Sequence, residues 1–412
     1  MGLVEKLNSY AEDYWDFADY RENNSIIQYP AKMVTPMQRQ LLTDVLEYDK
    51  QIHNILDPFM GSGTVLQVGQ ELGLDVIGYD INPLAILISR VRLEGVPTNS
   101  IKESIDQLFA SFNLLLGNVE NHTFSNIEKW FRSDIIESLS LIRLAIMQES
   151  NIRIRRFFWC CFAETVKKFS NTRTSTFKLH VKEACKIKDM ANNCIEEFKN
   201  NVSSNYMKYC FDSENKIEVV SGDALTLLSK RKENSVDIIC TSPPYGDNHT
   251  TVTYGQYSIL PLLWIDINDL DSFDTLLLNK FTAIDRESLG GRIKKIKNIE
   301  EYKPFIKNID LEKQKKVVSF WHDYEKVFEK MAYVLKHGKL MALTLGNRRV
   351  NNQELPFDEY NDFLAEKYNL RLETTLTRKI MGKRMPLKVS YIAEQGAVKS
   401  MSKEYIKIYK KI

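Results

Sequence analysis

Asn54-Ile-Leu-Asp-Pro-Phe-Met-Gly-Ser-Gly-Thr64, with the stretch VLQVGQELGLDVIGYD that runs on from Val65 to Asp80, decides the fold. A short apolar run ends in Asp57-Pro58, a glycine-rich turn follows, and Val65 to Leu72 has helical spacing. Gly73 stops that helix, and Val76-Ile-Gly-Tyr-Asp80 reads as a second strand. Strand, glycine turn, helix and strand make one βαβ unit, whose crossover is expected to be right-handed.

Working outward, strand logic returns at Ile217–Val220, at Ser235–Cys240 and, after a helix over Val317–Leu335 ended by Gly338, at Lys339–Leu345. Leu370–Ile380 and Glu404–Tyr409 are further strand candidates. From Pro97 to Asn215 the pattern is helical, with a possible capping box at Asp134-Ile-Ile-Glu137. The expected fold is α/β, a mostly parallel twisted sheet with helices on both faces. Residues 1–97 form its first part, 98–215 a helical insertion and 216–412 the remainder, within which 255–318 is a second, irregular insertion bearing many lysines.

Two loops carry chemistry. The turn Gly61-Ser62-Gly63-Thr64 brings backbone N–H groups close to a ligand, because two of its four positions have no Cβ. Asp80 ends the next strand, where an acidic residue can bind ribose hydroxyls. A dinucleotide site would want a glycine three positions after Gly63, where Leu66 stands, and a P-loop would want a lysine that is missing. A nucleoside fits this turn better than a pyrophosphate. The second loop, Thr241-Ser-Pro-Pro-Tyr245, follows a strand that two prolines cannot continue, since both ladder donors are lost. The chain must leave the sheet at its carboxyl edge, where doubly wound sheets bind ligands. Fixed φ at Pro243 and Pro244 holds the carbonyls of Ser242 and Pro243 and presents Tyr245 outward.

Asp57-Pro-Phe-Met-Gly-Ser-Gly-Thr64 and Thr241-Ser-Pro-Pro-Tyr245 are similar to the cofactor and catalytic motifs of the amino-methylating DNA methyltransferases, which use S-adenosylmethionine. Tyr29-Pro-Ala-Lys32, Tyr79-Asp-Ile-Asn-Pro83 and Gly222-Asp-Ala224 resemble further cofactor segments. Gly346-Asn-Arg348 and Lys383-Arg-Met-Pro386 resemble segments near the target base. The resemblance implies a three-layer Rossmann-like methyltransferase fold with a helical insertion. It implies that Tyr29, Pro30, Lys32, Asp57, Phe59, Gly61, Ser62, Gly63, Thr64, Asp80, Ile81, Asn82, Asp223 and Ala224 bind the cofactor. Ser242, Pro243, Pro244 and Tyr245 would then carry the transfer.

That chemistry suits these residue types. An exocyclic amine delocalises its lone pair into the base ring and is a poor nucleophile. Acceptors for both N–H bonds, the Ser242 hydroxyl and the Pro243 carbonyl, would turn the lone pair towards a methyl donor. Tyr245 would stack on the base once flipped from the duplex. The serine form of the motif resembles the N4-cytosine group, whereas N6-adenine enzymes more often carry aspartate or asparagine there. No metal is needed. C5-cytosine methylation would want a Pro-Cys step, and none of the eleven prolines precedes a cysteine. Adenine N6 methylation, RNA base methylation and a catalytically silent nucleic-acid-binding module are the competing readings. The resemblance also suggests a restriction–modification role, with a cognate endonuclease acting separately.

Charge supplies the DNA expectation. Lys and Arg total 56 against 54 Asp and Glu, so only clustering is informative. Between Arg153 and Lys188 stand ten basic residues and two acids, and this patch is the candidate for phosphate neutralisation. Arg153, Arg155, Arg156, Lys167, Lys168, Arg173 and Lys178 are its candidate contacts, with Arg384 near the target base. Arg286–Lys316 holds ten basic residues but also five acids, which weakens it. Only 26 residues follow Pro386, so base reading is expected from the helical insertion, from 255–318 or from both. A composition of 43% hydrophobic and 27% charged residues excludes a disordered or collagen-like chain. No run reaches the ~18 apolar residues of a membrane span. The N-terminus lacks the pattern of a signal peptide and the six cysteines include no C-x-x-C pair, so a cytoplasmic protein with reduced thiols is expected.

Overall fold

The computed structural model describes residues 2–20, 25–30, 32–117, 119–173, 175–247, 251–271, 277–278, 280–307, 309–350, 353–380, 388–392, 396–399 and 401–412. Seven strands form its main sheet: β1 (Asn54–Asp57), β2 (Asp75–Asp80), β3 (Ile217–Ser221), β4 (Val236–Thr241), β5 (Leu335–Leu345), β6 (Leu370–Lys379) and β7 (Lys403–Lys411). Their order is β3-β2-β1-β4-β5-β7-β6. The first five run parallel, and β7 lies antiparallel between β5 and β6. The central strands are buried on both faces, and all six residues of β4, Asp237 included, are buried.

The period-two alternation of each strand divides the side chains between two cores. Leu56, Ile239, Met341 and Leu343 point to one face, Ile55, Ile238, Leu340 and Ala342 to the other. Helices α1 (Thr35–Tyr48), α2 (Thr64–Glu71) and α3 (Pro83–Glu94) begin the helical count. The block between β2 and β3 continues with α4 (Ile101–Leu115), α5 (Ser133–Met147), α6 (Ile152–Phe169) and α7 (Cys194–Tyr209). After β3 come α8 (Ala224–Ser229), α9 (Tyr254–Trp264), α10 (Leu311–Val334) and α11 (Phe357–Lys367). Helices α1 and α2 cover the Ile55 face, α10 and α11 the Leu56 face.

A third core joins α3 and α9 to α4–α7. Its centre is α6, which buries Phe157, Phe158, Trp159, Phe162 and Val166 completely. Each such side chain contributes about 1.5–3 kcal/mol on burial. The helical block is therefore continuous with the sheet domain through α3, not a separate lobe.

Three local readings change. The 255–318 stretch is not irregular at its start: it begins within α9, an 11-residue helix, most of it buried, with Pro261 inside. Asp134 is not a cap but lies in the first turn of α5, where it pairs with Arg132 at 2.7 Å. Gly338 does not end a helix. The helix stops at Val334, and Gly338, at φ +75°, lies inside β5 where the pairing with β4 shifts register. No helix among the described residues is long and apolar enough to cross a membrane.

Candidate active site

The pairing of β1 with β4 fixes the site. Leu56 lies opposite Ile239, so the loops leaving both strands emerge side by side at the carboxyl edge. Thr241 Oγ1 donates to Asp57 Oδ1 at 2.6 Å and ties the two loops together. Asp57 Oδ1 also accepts from the Phe59 N–H at 3.1 Å, while Oδ2 is buried and has no partner among the described residues. Burial pushes the Asp57 carboxyl up to about 7.

The glycine turn closes on β2 and α3. Gly61 and Gly63 hold φ of +51° and +74°, a backbone region that costs other residues about 1–2 kcal/mol. Ser89 Oγ donates to the Gly61 carbonyl at 2.9 Å. Asp80 accepts from Gly61 N–H (2.9 Å) and Asn82 N–H (2.8 Å), and burial raises its carboxyl to about 6. Asn82 caps α3 through Leu84 N–H and donates to Tyr29 Oη (3.0 Å) and Ser258 Oγ (2.8 Å). Tyr29, Gly61, Asp80 and Asn82 thus form one hydrogen-bonded group that Ser258 and Ser89 join, and the Asp80 carboxylate also helps to raise Asp57.

Other expected cofactor residues have structural duties. Thr64 opens α2 and accepts from Arg92 at 3.0 Å, and Ser62 is buried. Phe59 and Ile81 pack against neighbouring cores. Asp223 caps α8 through Thr226 N–H at 2.8 Å, with Ala224 buried behind it, and Gly222 N–H donates to the Asp80 carbonyl at 2.9 Å. Pro30 is buried, and Lys32 Nζ reaches the Ile27 carbonyl at 3.5 Å.

Beyond Pro243 and Pro244, Tyr245 departs from the expected outward pose. Its ring lies against Gly346, and its hydroxyl contacts Ser242 Oγ at 3.2 Å and donates to Glu404 Oε1 at 3.4 Å. Glu404 in turn pairs with Arg378 at 2.5 Å, both side chains less than a tenth exposed. With the Tyr245 proton directed to Glu404, Ser242 donates to Tyr245 Oη and keeps its own lone pairs for a further donor. Burial and the nearby Glu404 carboxylate hold the Tyr245 phenol well above its ordinary range.

Tyr254 is a member of the site that sequence reasoning missed. Its ring stacks on Tyr29 at 5.8 Å, and burial together with the nearby Asp80 carboxylate holds its phenol above the ordinary range. It thus joins the Tyr29–Asn82–Asp80 group. Glu404 and Arg378 were equally out of reach. They stand on two strand candidates, Leu370–Ile380 and Glu404–Tyr409, whose adjacency no local pattern shows.

The basic cluster divides in two. Arg153 donates to the carbonyls of Glu94, Gly95 and Phe211 and pairs with Asp212, holding the end of α3. Arg155 grips buried Asp269 at 2.5 and 2.6 Å, and Arg156 pairs with Glu94 at 3.2 Å. Lys167 contacts Glu164 and the hydroxyl and ring of Tyr257, and Lys168 pairs with Glu197 at 2.6 Å. Each of the five has an acidic or carbonyl partner; Arg153, Arg155, Arg156 and Lys167 are at most partly exposed and brace the fold, while Lys168 is exposed. Arg173 and Lys178 are exposed. Arg384 lies outside the described residues. No group of three or more candidate metal ligands occurs among the described residues.

The chain is similar to known proteins along most of its length. Residues 4–90 match the model of a DNA methylase family acting at N6 and N4 positions. The chain is 30% identical to the type II methyltransferase M.MvaI of Kocuria varians, over 94% of this chain and 92% of that one. It is 24% identical to the type II methyltransferase M.BsoBI of Geobacillus stearothermophilus over 52% of this chain and 47% of that one. Among solved structures, it is similar to a Thermus thermophilus chain assigned as a DNA modification methylase and crystallised with S-adenosyl-L-methionine. There the identity is 16%, with 46% of this chain and 53% of that one covered, at a TM-score of 0.24. With a relative this similar along nearly its whole length, the chain belongs to the N6/N4 DNA methylase family of type II methyltransferases.

Proposed function

We propose that the protein transfers a methyl group from S-adenosylmethionine to cytosine N4 of a flipped base in duplex DNA, as the modification enzyme of a restriction–modification system. The observation that carries the reading is the Thr241–Asp57 hydrogen bond, which sets the glycine turn beside Ser242 at one sheet edge.

The donor suits the residues present. Asp57 and Asp80 are carboxyls whose burial disfavours their charge, and Asp57 Oδ2 is a buried acceptor without a donor among the described residues. A cationic ligand with N–H groups answers both conditions. Asp57, Asp80, the N–H groups of the Gly61–Gly63 turn, Tyr29 and Tyr254 are the residues that would hold it. When bound, S-adenosylmethionine supplies an electrophilic sulfonium methyl. Ser242 Oγ and the Pro243 carbonyl accept the two amine N–H bonds and free the nitrogen lone pair. Tyr245, braced by Glu404 and Arg378, fixes the Ser242 hydroxyl and offers its ring to the base. Holding both partners in line supplies most of the rate advantage that such a displacement needs.

Serine at position 242 favours cytosine, since the Thr-Ser-Pro-Pro-Tyr form resembles the N4-cytosine group. The test is methyl transfer from isotope-labelled donor to duplex DNA and to structured RNA, followed by nucleoside mass spectrometry. N4-methyldeoxycytidine is expected; N6-methyldeoxyadenosine would reassign the base, and labelled RNA alone would reassign the substrate. Ser242→Ala and Tyr245→Ala should each abolish most turnover, and near-full activity in both would remove the site. Protection of the methylated DNA against a cognate endonuclease tests the restriction–modification role.

A further inference from the structure

With Arg153, Arg155, Arg156 and Lys167 engaged inside the protein, part of the exposed charge left for DNA stands on a hairpin. Lys182 N–H donates to the Asn171 carbonyl at 2.7 Å, Arg173 N–H donates to the His180 carbonyl at 2.8 Å, and Thr172 bridges Val181. Arg173 and Lys178 are exposed and, among the described residues, form no ion pair. Ser175 and Thr176 add hydroxyl donors suited to phosphate oxygens. Between these groups stands Phe177, 46% exposed.

A single exposed apolar side chain is ordinary. Phe177 differs in where it is attached. Its ring meets the Tyr257 ring edge-on at 5.8 Å, and Tyr257 lies 6.2 Å from Tyr29, which stacks on Tyr254 beside Asp80 and Tyr245. A row of rings therefore runs from the candidate active site to the surface and ends in an exposed aromatic flanked by two cations. The hairpin is also fixed to α9: Leu179 N–H donates to Gln256 Oε1 at 3.2 Å, and Thr253 Oγ1 donates to the Phe177 carbonyl at 3.4 Å. Helix α9 carries Tyr254, so the hairpin and the site are built on one element.

We infer that the hairpin formed by residues 171–173 and 175–182 is a DNA-docking element, with Phe177 packing into the base step opened when the target base leaves the stack. Arg173 and Lys178 neutralise phosphates on either side of that step. Apolar wedges fit partly unstacked steps in this way, and a rigid aromatic offset by nearby cations is suited to it. The inference rests on the DNA-methylation reading and names the surface through which it acts.

The test compares two duplexes carrying the site defined by sequencing modified bases in a plasmid methylated in vivo. One is fully paired and the other has the target base mismatched, so that opening is already easy. Phe177→Ala is expected to lower kcat/KM roughly ten-fold on the paired duplex and less than about two-fold on the mismatched one, with Phe177→Trp retaining activity on both. Replacing Arg173 and Lys178 together by alanine should make the slope of log Kd against log salt shallower by about 2. Equal effects of Phe177→Ala on the two duplexes overturn the wedge, and an unchanged salt slope overturns the docking of the hairpin. Wild-type protein that methylates neither duplex would instead remove the methylation reading, and the docking element with it.

Discussion

Gly346 is where a single methyl group should separate catalysis from folding. A Cβ built there would lie 2.5 and 2.7 Å from the Cε2 and Cδ2 atoms of Tyr245 and 2.4 Å from Met401 Sδ. The thioether is flexible and can move aside at small cost. The Tyr245 ring follows two prolines and cannot, so relief to an ordinary contact of about 3.5 Å requires it to retreat by about 1 Å. Its hydroxyl contacts with Ser242 and Glu404, at 3.2 and 3.4 Å, are already near the limit of a hydrogen bond and would not survive that shift. A displacement of this size at a reacting centre costs on the order of 100-fold. Gly346 does not occupy the left-handed region, so alanine is acceptable to its backbone, and overpacking should cost only about 1–3 kcal/mol. Gly346→Ala is therefore expected to slow single-turnover methyl transfer about 100-fold at saturating donor and DNA, with donor affinity unchanged. Urea unfolding would verify that the variant is folded. A folded variant with the wild-type single-turnover rate would refute the claim that the Tyr245 position controls the reaction.

Burial raises Asp57 to about 7 and Asp80 to about 6, so between about pH 4 and these values the folded chain binds more protons than the unfolded one. Stability of the ligand-free protein should fall as pH rises through that window, while affinity for a cationic donor should rise; Asp57→Asn should flatten both trends, read by thermal unfolding and calorimetric titration. Gly63→Ala forces φ +74° on a residue with a Cβ and sets that atom 2.9 Å from Ser89 Oγ. It should cost at least about 1–2 kcal/mol in urea unfolding and weaken donor binding in the same titration. Arg155→Ala leaves Asp269, only 3% exposed at its side chain, with Trp159 Nε1 as its remaining side-chain partner among the described residues. A loss of about 3–5 kcal/mol of stability is expected, with the salt slope of DNA binding unchanged, because Arg155 braces the fold instead of touching phosphate.

What could be read from the sequence was local. Gly61 and Gly63 announced a turn because only glycine takes their φ freely, and Pro243-Pro244 announced the exit from β4 because neither residue can donate to a ladder. Asp57 and Thr241 could be placed at strand ends, and the α/β architecture followed from the strand and helix periods. The rest depended on contacts between distant segments. Glu404 meets Tyr245 across 159 positions, and Arg378 reaches Glu404 from the neighbouring strand, a pairing that no local pattern encodes. Tyr254 stands just before the 255–318 stretch taken for irregular chain, and the helix it opens went unread because α9 is apolar nearly all round and shows little amphipathic contrast. Counting charges has the same limit: it cannot tell that Glu94, Asp212 and Asp269 come back to meet three of the basic residues between Arg153 and Lys188.

The placement of β7 has a bearing on how the protein matures. Residues 403–411 are the filling between β5 and β6, so a nascent chain emerging from the ribosome leaves those two strands with open, unpaired edges until this late segment has been synthesised. The carboxylate that steadies Tyr245 arrives on the same segment. Chains that stall or are clipped before it would be left with sticky sheet edges and an unbraced aromatic, so closure of the sheet and competence for chemistry are timed together by the order of translation.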